Sequence, residues 1–113
     1  MRVAIVGLDD PGFVSALRER GAEVLAAPAP GLDMAFLMVR EPGELQRLTE
    51  LRPLIHPRGA IWLLRVKGAE AAVRDVQVIE AGRLHLLIDN KIASFSDTLA
   101  AMRLVIPVAM RGH

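Results

Sequence analysis

The sequence predicts one α/β domain over residues 1–113, a Rossmann-like three-layer sandwich. Its sheet is expected to be mainly parallel, of about six strands, closed by an antiparallel C-terminal hairpin. Three observations lead there. Short apolar runs at Arg2–Val6, Met34–Val39 and Ala60–Val66, the last interrupted only by Arg65, read as strands buried on both faces, as in a parallel sheet. Stretches of helical spacing separate these runs. The last two runs are joined only by Ser96-Asp97-Thr98, too short for anything but an antiparallel return.

Each element has a local reason. Arg2–Val6 ends at Gly7, and Asp9-Asp10-Pro11 follows. An aspartate before proline is an N-cap before N1, so a helix starts there. Phe13, Val14 and Leu17 recur at its spacing, and Gly21 closes it as the residue after the C-cap. Ala22–Ala27 is a second strand, Pro28-Ala-Pro30-Gly31 a loop, and Asp33 leads into the third strand. Glu41-Pro42 repeats the acid-proline start, with Leu45, Leu48, Leu51 and Leu54 on one stripe and Pro53 distorting or ending the helix. Pro57-Arg58-Gly59 reads as a turn before the strand Ala60–Val66, which Lys67-Gly68 ends. A third helix is expected from Ala69 to about Leu84, then strands at Leu86–Phe95 and Leu99–Met110. One tension remains. Residues 28–32 are too few for a parallel crossover, so the second strand is either very short, with a loop running back along an edge, or not parallel.

Composition narrows the function classes. The 14 basic and 13 acidic residues balance to a formal charge of +1, which argues against a dedicated nucleic-acid binder. No cysteine means no disulfide scaffold, no thiol catalysis and no Cys-ligated zinc. The first apolar run is too short for a secretory signal, and no run is long enough to cross a bilayer, so a cytoplasmic protein without membrane contact is expected. One asparagine and an arginine-dominated basic set fit a thermostable protein, and high-GC coding accounts for the arginine equally well.

Leu54-Ile-His-Pro57-Arg-Gly59-Ala-Ile-Trp62-Leu resembles a turn and strand late in class I S-adenosylmethionine-dependent methyltransferases, and the closing antiparallel pair suits that fold. A second resemblance covers most of the chain. Asp10-Pro-Gly-Phe13, Asp33-x-x-Phe36-x-x-Val39-Arg40, Glu44-Leu45, Gly59-Ala-Ile-Trp62, Lys67-Gly68, Ile88-Asp89-Asn90-Lys91, Ser94-Phe-Ser96 and Leu104-Val105 resemble a family of small bacterial Rossmann-like proteins of unknown function. That resemblance implies a topology and carries over no catalytic residue. The methyltransferase resemblance implies a G-x-G-x-G loop after the first strand and an acid at the end of the second, which binds ribose hydroxyls. This chain has Gly7-Leu-Asp-Asp-Pro-Gly12 and Ala26-Ala27-Pro28 there, so no cofactor is expected.

The candidate site residues are weighed against plainer roles. Gly7 to Gly12 has a G-x-x-x-x-G spacing, but Phe13 and Val14 stand where a phosphate loop needs Lys and Ser or Thr. Asp9 and Asp10 favour capping over phosphate binding. In an open parallel sheet ligands bind beyond the carboxyl ends of the strands. Asp9, Asp10, Arg40, Glu41 and Lys67 would gather on that rim as a weak ligand site for an unknown small molecule, although charged strand ends are also simply solvated. Asp89 and Lys91, with the apolar Leu104 and Ile106, mark the hairpin as a surface for a homodimer. His56, His85 and His113 show no metal-ligand spacing, and Ser15 lacks a nucleophile elbow. Trp62 and the five methionines read as core packing. The expected protein is a non-catalytic or degenerate methyltransferase-like binding or interaction module, with a rim-based ligand binder or enzyme as the alternative.

Overall fold

The computed structural model describes residues 1–68 and 71–111. In chain order the elements are β1 (Arg2–Val6), α1 (Pro11–Glu19), β2 (Glu23–Leu25), β3 (Leu32–Met38), a helical segment, β4 (Ile55–Val66), α3 (Asp75–Leu84), β5 (Ile88–Ser94) and β6 (Leu99–Val105). The helical segment joins a 3₁₀ turn at Pro42–Arg47, α2 at Leu48–Leu51 and a second 3₁₀ turn at Arg52–Leu54. The strands form one six-stranded sheet in the order β2-β1-β3-β4-β6-β5. β1 to β4 are mutually parallel, and β6 runs antiparallel to both β4 and β5.

This order has a consequence for the helices. The crossover from β1 leads outward to β2, whereas the crossover from β3 leads the other way to β4. Crossovers of the same hand in opposite directions place their helices on opposite faces. Accordingly, Phe13 and Leu17 of α1 pack with Val3, Phe36, Met38 and Leu64. Leu45, Leu48, Leu51 and Val78 pack on the other face with Ala35, Leu37, Ile61, Leu63 and Leu104. β1 and β3 therefore flank a topological switch point.

The helix start predicted at Asp10-Pro11 is present. Asp10 Oδ1 accepts from the Phe13 amide at 3.0 Å, a cap worth about 1 kcal/mol. Gly21 has φ +88°, the left-handed turn that follows the helix. The β2–β3 tension resolves through strand length. β2 has only three residues, and it is parallel to β1. Residues 26–31 reach roughly 20 Å when extended. They need to retrace only about 10 Å along β2 and about 10 Å across two strand spacings. The returning loop is tied to β1, because Arg2 Nη1 donates to the Pro30 carbonyl at 2.9 Å and the Arg2 amide to Asp33 Oδ2 at 2.7 Å.

Three boundaries differ from the sequence reading. β4 begins at Ile55, not Ala60, and the expected turn at Pro57-Arg58-Gly59 lies inside it. Ile55 pairs with Leu32 and Ala60 with Met34, so residues 56–59 bulge opposite Asp33. The third helix begins at Asp75; of the earlier expected turns, residues 69–70 lie outside the described residues. Residues 71–74 are instead an irregular, bent segment, where the Arg65 guanidinium donates to the Val73 carbonyl at 3.3 Å and pairs with Asp75. Gln77 Oε1 accepts from the Arg74 amide at 2.8 Å, starting the helix without a usual N-cap residue. The last strand stops at Val105; Pro107 follows, and Val108–Met110 is a 3₁₀ turn.

Gly59 gives a direct test of the bulge. A Cβ there would lie 2.8 Å from the Asp33 carbonyl oxygen and 3.0 Å from that of Leu32. Gly59→Ala is expected to cost about 1–3 kcal/mol in urea unfolding, as overpacking against backbone does. Gly43→Ala, which meets nothing within 4 Å, is expected to be near neutral.

Candidate functional site

The carboxyl ends of β1 and β3 form the switch-point rim. Gly7 turns the chain out of β1 at φ +77°, and a Cβ there would sit 3.0 Å from the Met38 carbonyl oxygen. Only glycine allows this turn and this approach. Arg40 stands just past β3 and reaches across the rim, its Nη1 donating to the Gly7 carbonyl at 3.1 Å. The crevice between the two strand ends is thus bridged by a side chain of the protein itself.

The other charges of the rim are also used locally. Glu44 Oε1 accepts from the amides of Arg40 at 2.8 Å and Glu41 at 3.0 Å. These two amides, Arg40's first, hold the Glu44 carboxyl below its ordinary value of 4.5. The sequence brings in Glu44 only through the family resemblance and not as a site residue, although an acid at the third position after a helix start is a recognisable capping signal. Lys67 does not face the acids of the rim. Its Nζ donates to Ser94 Oγ and to the Ser96 carbonyl, each at 2.6 Å, which ties it to the β5–β6 hairpin. Asp10 is the α1 cap, and Asp9 is exposed. Asp9 and Asp10 do share a groove of about 380 Å³ between α1 and β2, with Leu8, Val14, Arg18 and Leu25. The structure therefore brings Arg40 to the β1 loop and the two aspartates to one groove, and it sends Lys67 elsewhere.

The hairpin residues divide as well. β6 is the second strand from the edge, with Leu104 fully buried and Ile106 3 % exposed, so both belong to the core rather than to a free surface. The edge is β5, where Ile88 and Ile92 are exposed and Lys91 follows a bulge at Asn90. Asp89 pairs with Leu104 and Lys91 with Arg103 across the hairpin.

Among the described residues no polar or charged side chain is buried, and no group of three His, Asp or Glu side chains is placed to hold a metal. His85 bridges two helices, between Thr49 Oγ1 and the Ala81 carbonyl at 2.8 Å each. His56 Nδ1 accepts from the Arg58 amide at 3.1 Å in the β4 bulge.

A second concavity was not anticipated from the sequence. Phe13, Phe36, Trp62 and Phe95 line a cleft of about 280 Å³ on the α1 face, floored by Ala93 and Ala101. Phe13 meets Phe36 and Phe95 edge-to-face, with ring centroids 4.8 and 4.9 Å apart.

No sequence-family model matches the chain, and no curated protein matches it by sequence. Solved structures match it closely in shape. The O-methyltransferase of neocarzinostatin biosynthesis, determined with S-adenosyl-L-homocysteine and 1,4-dihydroxy-2-naphthoic acid, superposes with a TM-score of 0.70 at 12 % identity over 94 % of this chain and 49 % of its own. The methyltransferase of calicheamicin biosynthesis gives 0.73 at 13 % over 94 % and 49 %. Magnesium protoporphyrin IX methyltransferase from Synechocystis PCC 6803, with bound SAM, gives 0.73 at 10 % over 93 % and 69 %. The fold is that of the S-adenosylmethionine-dependent methyltransferases. This chain spans about half the length of the two biosynthetic enzymes. The resemblance of Leu54–Leu63 to a late methyltransferase strand thus falls on β4, within the shared fold. The methyltransferase fold also carries the antiparallel closing pair expected from Ser96-Asp97-Thr98.

Glu44 makes the rim sensitive to acid. A carboxyl whose folded value is lowered contributes stability above its unfolded value and loses it as pH falls through the folded one. The urea midpoint is therefore expected to drop below about pH 4.5. In Glu44→Gln that drop is expected to shrink, since a glutamine oxygen still accepts both amides but does not titrate. An unchanged pH profile in the variant would contradict the assignment.

Proposed function

We propose that this chain is a binding and interaction module on the methyltransferase fold, without methyl-transfer chemistry of its own. The observation that carries this reading is the Arg40–Gly7 hydrogen bond across the switch point. Ligands of open α/β sheets enter at that crevice. Here a guanidinium already spans it, and the first-turn amide of Phe13 is taken by Asp10. The loop from Gly7 to Gly12 has bulky acids in place of further glycines, and β2 runs out into Ala26-Ala27-Pro28 with no acid for ribose hydroxyls. These residues do not fit S-adenosylmethionine, and no catalytic step is assigned to it.

A second reading rests on the groove that holds Asp9 and Asp10. Two carboxylates outnumber the one guanidinium, Arg18, beside Leu8, Val14 and Leu25, so the groove suits a cationic or hydroxyl-rich small molecule more than a phosphate. Asp9 is the residue to vary for that reading, since Asp10 is also the α1 cap.

Isothermal titration separates the possibilities. S-adenosylmethionine and S-adenosylhomocysteine are expected to give no saturable heat with the native chain. Micromolar binding of either would overturn the proposal. A cationic or polyol ligand whose thermal shift disappears in Asp9→Asn would favour the groove instead.

A further inference from the structure

The chain has four aromatic residues and two lysines, and its register gathers them around one cleft. Phe36 and Trp62 are paired across β3 and β4, so they stand side by side on the α1 face. Phe13 comes down from the first turn of α1, and Phe95 comes in from the end of β5. Phe36 is nearly buried at 8 % exposure, whereas Phe13, Trp62 and Phe95 are only half-buried. An aromatic cluster that served only as core would close over its tryptophan. This one leaves an open space of about 280 Å³ against it. For comparison, an engineered apolar cavity of about 150 Å³ accepts benzene.

Charge defines the occupant further. The row that holds Phe36 and Trp62 continues into Arg103 on β6 and then Lys91 on β5. Residues directly paired across strands share a face, so two cations stand beside the tryptophan on the same side. Like charges placed opposite one another are unfavourable, and no acid among the described residues forms an ion pair with either. The second lysine, Lys67, binds Ser94 Oγ at the cleft wall. The surroundings of the cleft are thus cationic and its lining apolar.

We propose that this cleft binds a small planar aromatic carboxylate, its ring between Trp62 and Phe95 and its anionic group toward Arg103 and Lys91. The size admits one or two rings and is too small for a helix, which is about 10 Å across. A second copy docked with its two-fold axis beside Arg103 and Lys91 would set these cations against their own equivalents, an arrangement that the test below distinguishes. The cleft shares Phe13 with the loop after β1, but its other walls come from β3, β4, β6 and the end of β5, so its occupation is tested separately from S-adenosylmethionine binding.

Trp62 is the sole tryptophan, so its indole N–H gives a single amide-spectrum signal from within the cleft. The full chain is titrated with trans-cinnamate and, separately, with uncharged cinnamamide. Cinnamate is expected to shift the indole signal saturably with a Kd of about 1 mM or tighter. Cinnamamide is expected to bind more weakly. Lys91→Gln and Arg103→Gln are each expected to weaken cinnamate by about two- to fivefold and to leave cinnamamide unchanged. Ala101→Leu, or Ala93→Leu on the edge strand should the first fail to fold, fills the floor and is expected to abolish both shifts. An unmoved indole signal overturns the proposal. So does a shift that survives the filled floor, or one that follows protein concentration, which would mark the face as a contact between copies.

Discussion

β4 is the element on which the remaining structure hangs. It pairs in parallel with β3 on one side and antiparallel with β6 on the other. Its residues Ile61 and Leu63 are fully buried on one face, and Leu64 is fully buried on the other. A strand in this position must be apolar on both faces, so the segment from Ala60 to Leu64 has no polar residue to spare for chemistry. After the bulge that holds Arg58, charge returns only where the strand emerges, at Arg65 and Lys67. Each is then spent on joining β4 to the next element: Arg65 to the entry of α3, Lys67 to the hairpin. The same economy operates at β3, whose first charged residue after the strand, Arg40, bonds back to β1.

The two faces of the sheet are covered unequally, and this decides where a ligand surface can exist. One face carries the 42–54 segment and α3. The other carries α1, a helix of nine residues, roughly 13 Å long, which cannot span six strands. Exposed apolar surface has a cost of about 25 cal/mol per Å², so the uncovered part has to be closed by the chain's own side chains or by something else. Large flat residues at 36, 62 and 95 extend the cover that α1 begins with Phe13. Their cover is incomplete at Trp62.

Much of the fold was legible because its signals are local. Asp10-Pro11, Gly21 and the turn at 96–98 each determine the geometry of a few neighbouring residues, and each is found as expected. The short β2 was legible as a dilemma, and chain reach resolved it. Boundaries that depend on distant partners were not legible. Residues 56–59 look like a turn until Leu32 and Met34 pair on either side of them. The entry to α3 looks helical until Arg65, ten residues earlier, holds Val73 and Asp75. The rim was legible in composition only. The sequence places Arg40, Glu41 and Lys67 at strand ends, but their partners are Gly7, Glu44 and Ser94, which only the sheet order brings near. The aromatic cleft was least legible, because Phe13, Phe36, Trp62 and Phe95 sit on four different elements and share no motif. The one available signal was that Phe36 and Trp62 face the same side of adjacent strands, and that requires knowing the register.

The rim and the cleft differ in how their polar groups are satisfied, and that difference separates a scaffold feature from a recognition surface. At the rim, the Arg40 guanidinium, the Glu44 carboxylate and the Asp10 carboxylate each meet a backbone group at 2.8–3.1 Å. A ligand arriving there must displace bonds that also shape the loops after β1 and β3, and each exchange returns little net free energy. At the cleft the walls are hydrocarbon apart from Ser94, and among the described residues neither Lys91 nor Arg103 has an acidic ion-pair partner. A ligand arriving there removes apolar surface from water and sets a negative charge between two positive ones, and it breaks no internal bond. The balance of free energy therefore favours occupation of the cleft over the rim, even though the rim is the position where the fold ordinarily receives its ligands.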